Sequence, residues 1–298
     1  MEELIASVVR GLGIGSTYAL IAVGFVIVYR ATDVVNFAHP ALMILGAYYT
    51  SWFTFTVGLP FVLAVPAAMV SVAVLAALCE RIAMRPMVGE PPFAAAMVTV
   101  GVFFVLFVLA FRLIGTTVIT MGDPWGLERV TVLGVRLFQV DLAKTVIALV
   151  AIGAVAAFLK RSRIGLAMRA TALDQEVAMA QGVKVGRVFG LSWAIAGATA
   201  GLAGMLIGTA AGGVEPVTAL VALKALPVII LGGLDSVEGT VPAGIAIGIA
   251  ESLTRTYQPA YAPWLGANVD VVVPYLIMIL VLMVRPYGIF GTRQVQRI

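Results

Sequence analysis

From Leu4 to Tyr29 the chain stays apolar for longer than a bilayer is thick, and runs of the same kind recur to its C-terminal end. A helix needs about 20 mainly apolar residues to cross the hydrocarbon core. Segments of this character are Leu4–Tyr29, Val34–Val57, Phe61–Leu78, Phe93–Ile114, Leu142–Leu159, Val188–Ile207, Leu220–Leu231, Val241–Leu253 and Val271–Val284. The seventh and eighth are too short to cross unaided, so they fit tilted, extended or discontinuous helices. A transmembrane barrel would instead show segments of about ten residues with alternating polarity. The sequence predicts an all-α polytopic membrane helix bundle with eight or nine transmembrane or re-entrant segments, in which residues 1–298 form a single transmembrane domain.

Composition closes the alternatives. Of 298 residues, 61% are hydrophobic and 11% charged, against about 45–50% and 25% in soluble domains. Too little polar surface remains to cover a soluble fold of this length. The single cysteine, Cys79, cannot form an internal disulfide. A net charge of +4 does not point to nucleic acid, because the basic residues lie between apolar runs and not on a soluble basic face. The first segment opens on Glu2 and Glu3 and is too long for a cleaved signal peptide.

Lys and Arg concentrate in three places: Arg81 and Arg85 in Cys79–Pro92; Lys160, Arg161, Arg163, Arg169, Lys184 and Arg187 in the loop of about 160–187; and Arg285, Arg293 and Arg297 in the tail. Cytoplasmic loops carry such an excess. These regions and the C-terminus are therefore expected in the cytoplasm, with Gly115–Asp141, Gly212–Ala219 and Gln258–Asp270 on the other side and the N-terminus outside. Small residues recur at helical spacing in Gly11 and Gly15, Gly197 and Gly201, Gly204 and Gly208, and Gly244 and Gly248. In lipid that pattern predicts close helix packing.

Two polar clusters interrupt the apolar runs. Arg30-Ala-Thr-Asp33-Val-Val-Asn36-Phe-Ala-His39-Pro40 follows the first segment, and Gly232-Gly-Leu-Asp235-Ser-Val-Glu238-Gly-Thr-Val-Pro242 follows the seventh. They share the pattern Asp-x6-Pro-Ala-x4-Gly, an internal repeat. Each fits an ordinary interfacial loop, and each equally fits a helix break with proline in the first turn of a fresh helix. Transporters place broken helices along the substrate path, which makes Asp33, Asn36, His39, Pro40, Asp235, Glu238 and Pro242 candidate path residues. His39 is the one histidine and has no partner ligands for a metal, so no metal site and no cofactor are expected. It fits a structural hydrogen-bonding role as well as a place on the path. Glu251, read as lying near the end of the eighth segment, is open to a buried functional role, to snorkelling, and to pairing with Arg255 one turn on.

In the 160–187 loop, Ala172 to Ala180 has good helix propensity and ends at Gly182, a natural C-cap. An exposed helix carrying so much Ala and Met needs a cover, either a soluble partner or the underside of its own bundle. The stretch Glu176-Val-Ala178-x3-Gly182 resembles the Glu-Ala-Ala-x3-Gly coupling segment of ATP-binding-cassette importer permeases, departing from it at the second position. Within that group the chain is similar to the permease subunits of branched-chain amino acid importers. The similarity is carried by Gly15–Gly24, Val35-Asn-Phe-Ala-His39 and Leu45–Tyr48; by Arg163-Ile-Gly165-x3-Arg169-Ala170 through Ala178-x3-Gly182; and by Leu231–Gly239 with Gly248–Glu251. Where that family usually has glycine after the histidine, this chain has Pro40-Ala41.

The resemblance implies a multi-pass permease in a bacterial or archaeal inner membrane. Its partners would be two cytoplasmic ATP-binding subunits, a second related permease and an extracytoplasmic substrate-binding protein, with no nucleic acid. It also implies ATPase-coupling roles for Arg163, Gly165, Arg169, Glu176, Ala178 and Gly182. The absence of a Gly-x4-Gly-Lys-[Ser/Thr] loop agrees with an engine on another chain. An ion-coupled secondary transporter is the alternative, and would need buried acids in mid-helix. A membrane enzyme is disfavoured by one His, one Cys and no clustered carboxylates.

Overall fold

The computed structural model describes residues 2–132, 134–210, 212–234, 236–285 and 288–289. Asp235 and the tail residues Arg293 and Arg297 lie outside them. Every apolar run is occupied by helix: α1 (Glu2–Thr32), α2 (His39–Phe55), α3 (Phe61–Cys79), α4 (Pro92–Ile114), α5 (Gln139–Arg161), α6 (Arg163–Leu173), α7 (Gln175–Ala180), α8 (Val185–Ala210), α9 (Ala225–Gly232), α10 (Val237–Tyr261) and α11 (Val269–Val284). Among the described residues five helices (α1, α3, α4, α5 and α8) are long and apolar enough to cross a membrane, and the bent pair Pro216–Gly232 with Val237–Tyr261 adds a sixth. Helices α2 and α11, with 17 and 16 residues, are shorter. A polar stretch expected to be an outer loop holds a hairpin, β1 (Arg129–Val132) and β2 (Val135–Phe138), paired antiparallel from Arg129 opposite Phe138 to Val132 opposite Val135. Arg129 caps it by lying 4.5 Å over the Phe138 ring.

The contacts group into two units. One comprises residues 1–22, 127–150 and 224–298; the other comprises 23–126 and 151–223. In the second unit α2, α3, α4 and α8 pack together. Gly46 of α2 meets Gly201 of α8 so closely that a methyl group on Gly46 would strike the Gly201 Cα, and one on Gly204 would strike the Met43 carbonyl. Gly197 of α8 presses on α3, where a Cβ would lie 2.6 Å from the Ala76 methyl. In the first unit α9, α10 and α11 pack on one another. There Gly11 and Gly15 of α1 face Gly244 and Gly248 of α10, and a methyl on Gly244 would come within 2.6 Å of the Gly15 carbonyl oxygen.

Lipid tails are as apolar as the side chains, so burying Leu or Val gives two membrane helices little reason to associate. Glycine brings the backbones into dispersion contact instead. The seams expected from sequence thus form between Gly11/Gly15 and Gly244/Gly248 and along the glycine face of α8. Conversely α3, α4 and α5 leave Val62, Val70, Phe93, Val105, Val108 and Val150 exposed, as lipid-facing helices do.

The second break differs from the expected form. Pro40 sits in the first turn of α2, but α10 starts at Val237, where the Ser236 hydroxyl accepts from the Gly239 N–H at 3.0 Å, and Pro242 is inside the helix. Ser is a strong N-cap, so it sets the start ahead of the proline. The eighth segment also continues past Leu253 to Tyr261. Its polar side chains find partners there: Thr254 and Thr256 donate to the Ala250 and Ser252 carbonyls, and Arg255 binds Asp270 at 2.8 Å.

Gly46→Leu and Gly248→Leu are each expected to cost about 1–3 kcal/mol through overpacking and to lower the thermal midpoint of the detergent-purified chain. Gly101→Leu, with no atom within 4 Å of the added Cβ, should leave the midpoint unchanged. A midpoint lowered equally at all three positions would contradict seams made by close backbone approach.

Candidate functional site

The first break runs from Asp33, whose φ of 57° lies in the left-handed region, to Ala38. The Asp33 N–H still bonds the Tyr29 carbonyl at 2.7 Å, which closes α1. Asn36 is buried, and its Oδ1 accepts from the Ala38 N–H at 3.0 Å, an Asx-type turn that re-aims the chain into α2. Thr99 of α4 clasps the loop: its hydroxyl accepts from the Phe37 N–H at 3.0 Å and lies 3.3 Å from the Val35 carbonyl. His39 is fully buried, 4.6 Å from the Phe25 ring centroid and pressed against Gly24. Among the described residues neither His39 ring nitrogen nor the Asn36 Nδ2 has a hydrogen-bond partner. The His39 ring is packed against Phe25 and Gly24. Asp33 is exposed and lines a cleft of about 260 Å³ together with Glu80, Glu90, Trp193 and Gln175.

The 160–187 segment is two helices. The Ser162 hydroxyl caps α6 by accepting from the Gly165 N–H at 2.9 Å. Arg169 donates to the Leu159 carbonyl, and Gly165 lies against the same carbonyl with no room for a side chain. Gly165 and Arg169 thus build the corner that turns the end of α5 into α6. Asp174 is the cap of α7 and not part of it: its Oδ1 accepts from the Val177 N–H at 2.9 Å. At the other end Gly182, with φ of 84°, donates to the Met179 carbonyl, and Val183 donates to Ala178. Ala178 is buried, whereas Glu176 is exposed amid exposed Leu173, Val177 and Met179. One short helix, stopped at both ends, holds an apolar rim around an acid. Arg163 is exposed at the start of α6.

Two features of this region escaped the sequence. Glu80 and Arg85 pair at 3.1 Å, and Arg85 Nη2 also donates to the Gly186 carbonyl at 2.9 Å, tying the 79–92 segment to the first turn of α8. Opposite charges five apart match no α-helical pairing. A π turn over Glu80–Met84 brings them together. The cleft likewise joins the first break to Gln175 of α7, residues 142 apart in sequence (175 − 33).

In the other unit Glu238 is exposed in the first turn of α10, Pro242 is exposed on it, and Gly233 closes α9 with φ of 92°. The Ile289 N–H bonds the Leu231 carbonyl at 2.9 Å. The two breaks fall in different units. The first unit also holds an ion pair of partly buried Lys224 with buried Glu251, 2.6 Å apart, to which the Tyr18 hydroxyl adds a 3.0 Å bond to Glu251. Glu251 does not pair with Arg255, which is taken by Asp270.

Long apolar helices, helix breaks and glycine-seamed packing mark a polytopic membrane protein. The family model described as "Branched-chain amino acid transport system / permease component" matches residues 7–282. The chain belongs to that family. It is 29% identical to the high-affinity branched-chain amino acid transport system permease protein LivH of Escherichia coli K12, over 97% of this chain and 96% of the relative. It is 28% identical to BraD of Pseudomonas aeruginosa over the same shares of each, and 26% identical to a probable LivH of Methanocaldococcus jannaschii over 91% and 88%. The solved structure of PsaBC from Streptococcus pneumoniae in complex with Fab shares the fold, with TM-score 0.53 and 14% identity over 96% of this chain and 93% of that one.

Arg85→Ala should free the first turn of α8 and leave buried Glu80 without its cation. Amide exchange across Val185–Phe189 is expected to rise about tenfold or more, the loss of a charged hydrogen bond. Exchange unchanged from wild type would show that the Arg85 tie holds nothing.

Proposed function

We propose that this chain is the membrane subunit of an ATP-driven importer for branched-chain or related amino acids, and that it acts as a single permease domain without enzymatic chemistry or cofactor of its own. It works in a bacterial or archaeal inner membrane with its C-terminus in the cytoplasm. Its partners are two cytoplasmic ATP-binding subunits, a second related permease and an extracytoplasmic substrate-binding protein. Relatives named as branched-chain amino acid permeases support the substrate class. The observation that carries the coupling role is α7: a capped helix whose Val177 and Met179, with Leu173 at the end of α6, stay uncovered around Glu176 while Ala178 anchors it.

In this mechanism the ATP-binding subunits grip Glu176 and the apolar rim. Gly182 holds the turn, and the Arg163, Gly165 and Arg169 corner carries the displacement into α5. The helices then tilt about their glycine seams and alternate access to the path. Asp33, Asn36, His39 and Pro40 at one break and Asp235, Glu238 and Pro242 at the other line or gate that path. The cleft shared by Asp33 and Gln175 supports a direct link between docking helix and first break. An ion-coupled transporter would need Glu251 free for a cation, but Lys224 already neutralises it at 2.6 Å.

Gly182→Val forces a β-branched residue into the left-handed region, at a cost of about 1–2 kcal/mol, and Glu176→Ala removes the central acid. In the reconstituted importer both are expected to lose substrate-stimulated ATPase activity by about tenfold, the loss of roughly one strong contact, with basal activity retained. Full stimulation in both variants would remove α7 from the coupling step.

A further inference from the structure

Three residues of the first unit converge from different elements. Tyr18 is 16 residues from the start of α1 and 14 from its end (18 − 2, 32 − 18). Glu251 is 14 residues into α10 and 10 from its end (251 − 237, 261 − 251). Lys224 is where a 3-10 segment, Pro216–Lys224, passes into α9, eight residues from either end of the joined run (224 − 216, 232 − 224). Each of the three therefore stands near the middle of its own apolar element. Lys224 Nζ and Glu251 Oε1 are 2.6 Å apart, the Tyr18 hydroxyl bonds Glu251 Oε2 at 3.0 Å, and the ammonium lies 5.9 Å from the Tyr18 ring centroid.

A charge near the centre of a membrane helix costs roughly 2.5–3.5 kcal/mol on insertion scales. An apolar pair of the same volume would serve packing as well or better. The pair is also not closed off: the Lys224 side chain keeps 13% exposure against 3% for Glu251. Transporters place substrate sites where membrane helices are discontinuous, and at Lys224 a 3-10 segment passes into α9.

We propose that Lys224, Glu251 and Tyr18 form a subsite for the zwitterionic head of an α-amino acid, a proposal that rests on the importer reading above. The substrate carboxylate takes the place of Glu251 beside Lys224, and its ammonium takes the place of Lys224 beside Glu251, which Tyr18 holds in orientation. Charge balances in both states. The empty site closes on itself as an ion pair, and the loaded site pairs each charge with the substrate's opposite one. No net charge is left unpaired in the membrane as the substrate passes, and the apolar side chain needs no polar contact there.

The test uses the complete importer, permease with its ATP-binding subunits and binding protein, in proteoliposomes supplied with radiolabelled leucine. The deciding variant is the apolar double Lys224→Met/Glu251→Leu, which removes both charges without leaving one buried alone. Leucine uptake per ATP hydrolysed is expected to fall at least about tenfold, the loss of a charged hydrogen bond, while assembly and ATPase stimulation by loaded binding protein persist. Wild-type uptake per ATP in the double variant would overturn the subsite and leave the ion pair structural. If the double variant does not assemble, Tyr18→Phe decides: a severalfold fall in uptake per ATP supports the subsite, and an unchanged value overturns it. A wild-type complex that hydrolyses ATP but imports no branched-chain amino acid would overturn the importer reading itself, and the subsite with it.

Discussion

Helix backbones touching at glycine are the contacts on which the rest of this protein depends. In a bilayer the usual reason for helices to gather, burial of apolar surface away from water, is absent. What replaces it is the approach of Gly11 and Gly15 to Gly244 and Gly248, and of Gly46 and Met43 to Gly201 and Gly204. The glycines of the Asp-x6-Pro-Ala-x4-Gly repeat are both used this way: Gly46 seams α2 to α8, and Gly248 seams α10 to α1. Each helix that follows a break is thereby fixed by backbone contact. Asp33 and Glu238 at the two breaks are exposed, whereas Asn36 and His39 are buried.

Much of this was legible in the chain because the physics is local. A run such as Phe93–Ile114 needs no tertiary context to be a helix, and α4 spans Pro92–Ile114. Gly182 was legible as a stop because a left-handed φ of 84° suits glycine. Glycines four apart announce a packing face, although not its partner. The start of α10 was less legible: proline draws attention as a helix starter, but the Ser236 cap outranks it by supplying a bond to an orphan N–H.

What stayed hidden depends on distance in sequence or on rare geometry. The partners of Glu251 are 27 and 233 residues away, and no pattern in the chain connects them. Arg255, one turn on, is one of the partners its spacing allows, and Asp270 from the next helix holds it instead. The Glu80–Arg85 pair needs a π turn to form. The contacts of His39 with Gly24 and Phe25 likewise come from the preceding helix and have no signal in the chain.

The central claim is that α7 is the handle by which an ATP-driven partner moves this membrane subunit. The chain has one cysteine, Cys79, so Cys79→Ser gives a background free of thiols. In it Val177→Cys and Met179→Cys each place one thiol on the uncovered rim, and Ala178→Cys places one on the buried side. Treatment of the assembled importer with a short reagent that is thiol-reactive at one end and photoreactive at the other should, on illumination, link the first two to an ATP-binding subunit and leave the third unlinked. Absence of any link from positions 177 and 179 in an assembled, active complex would contradict the account.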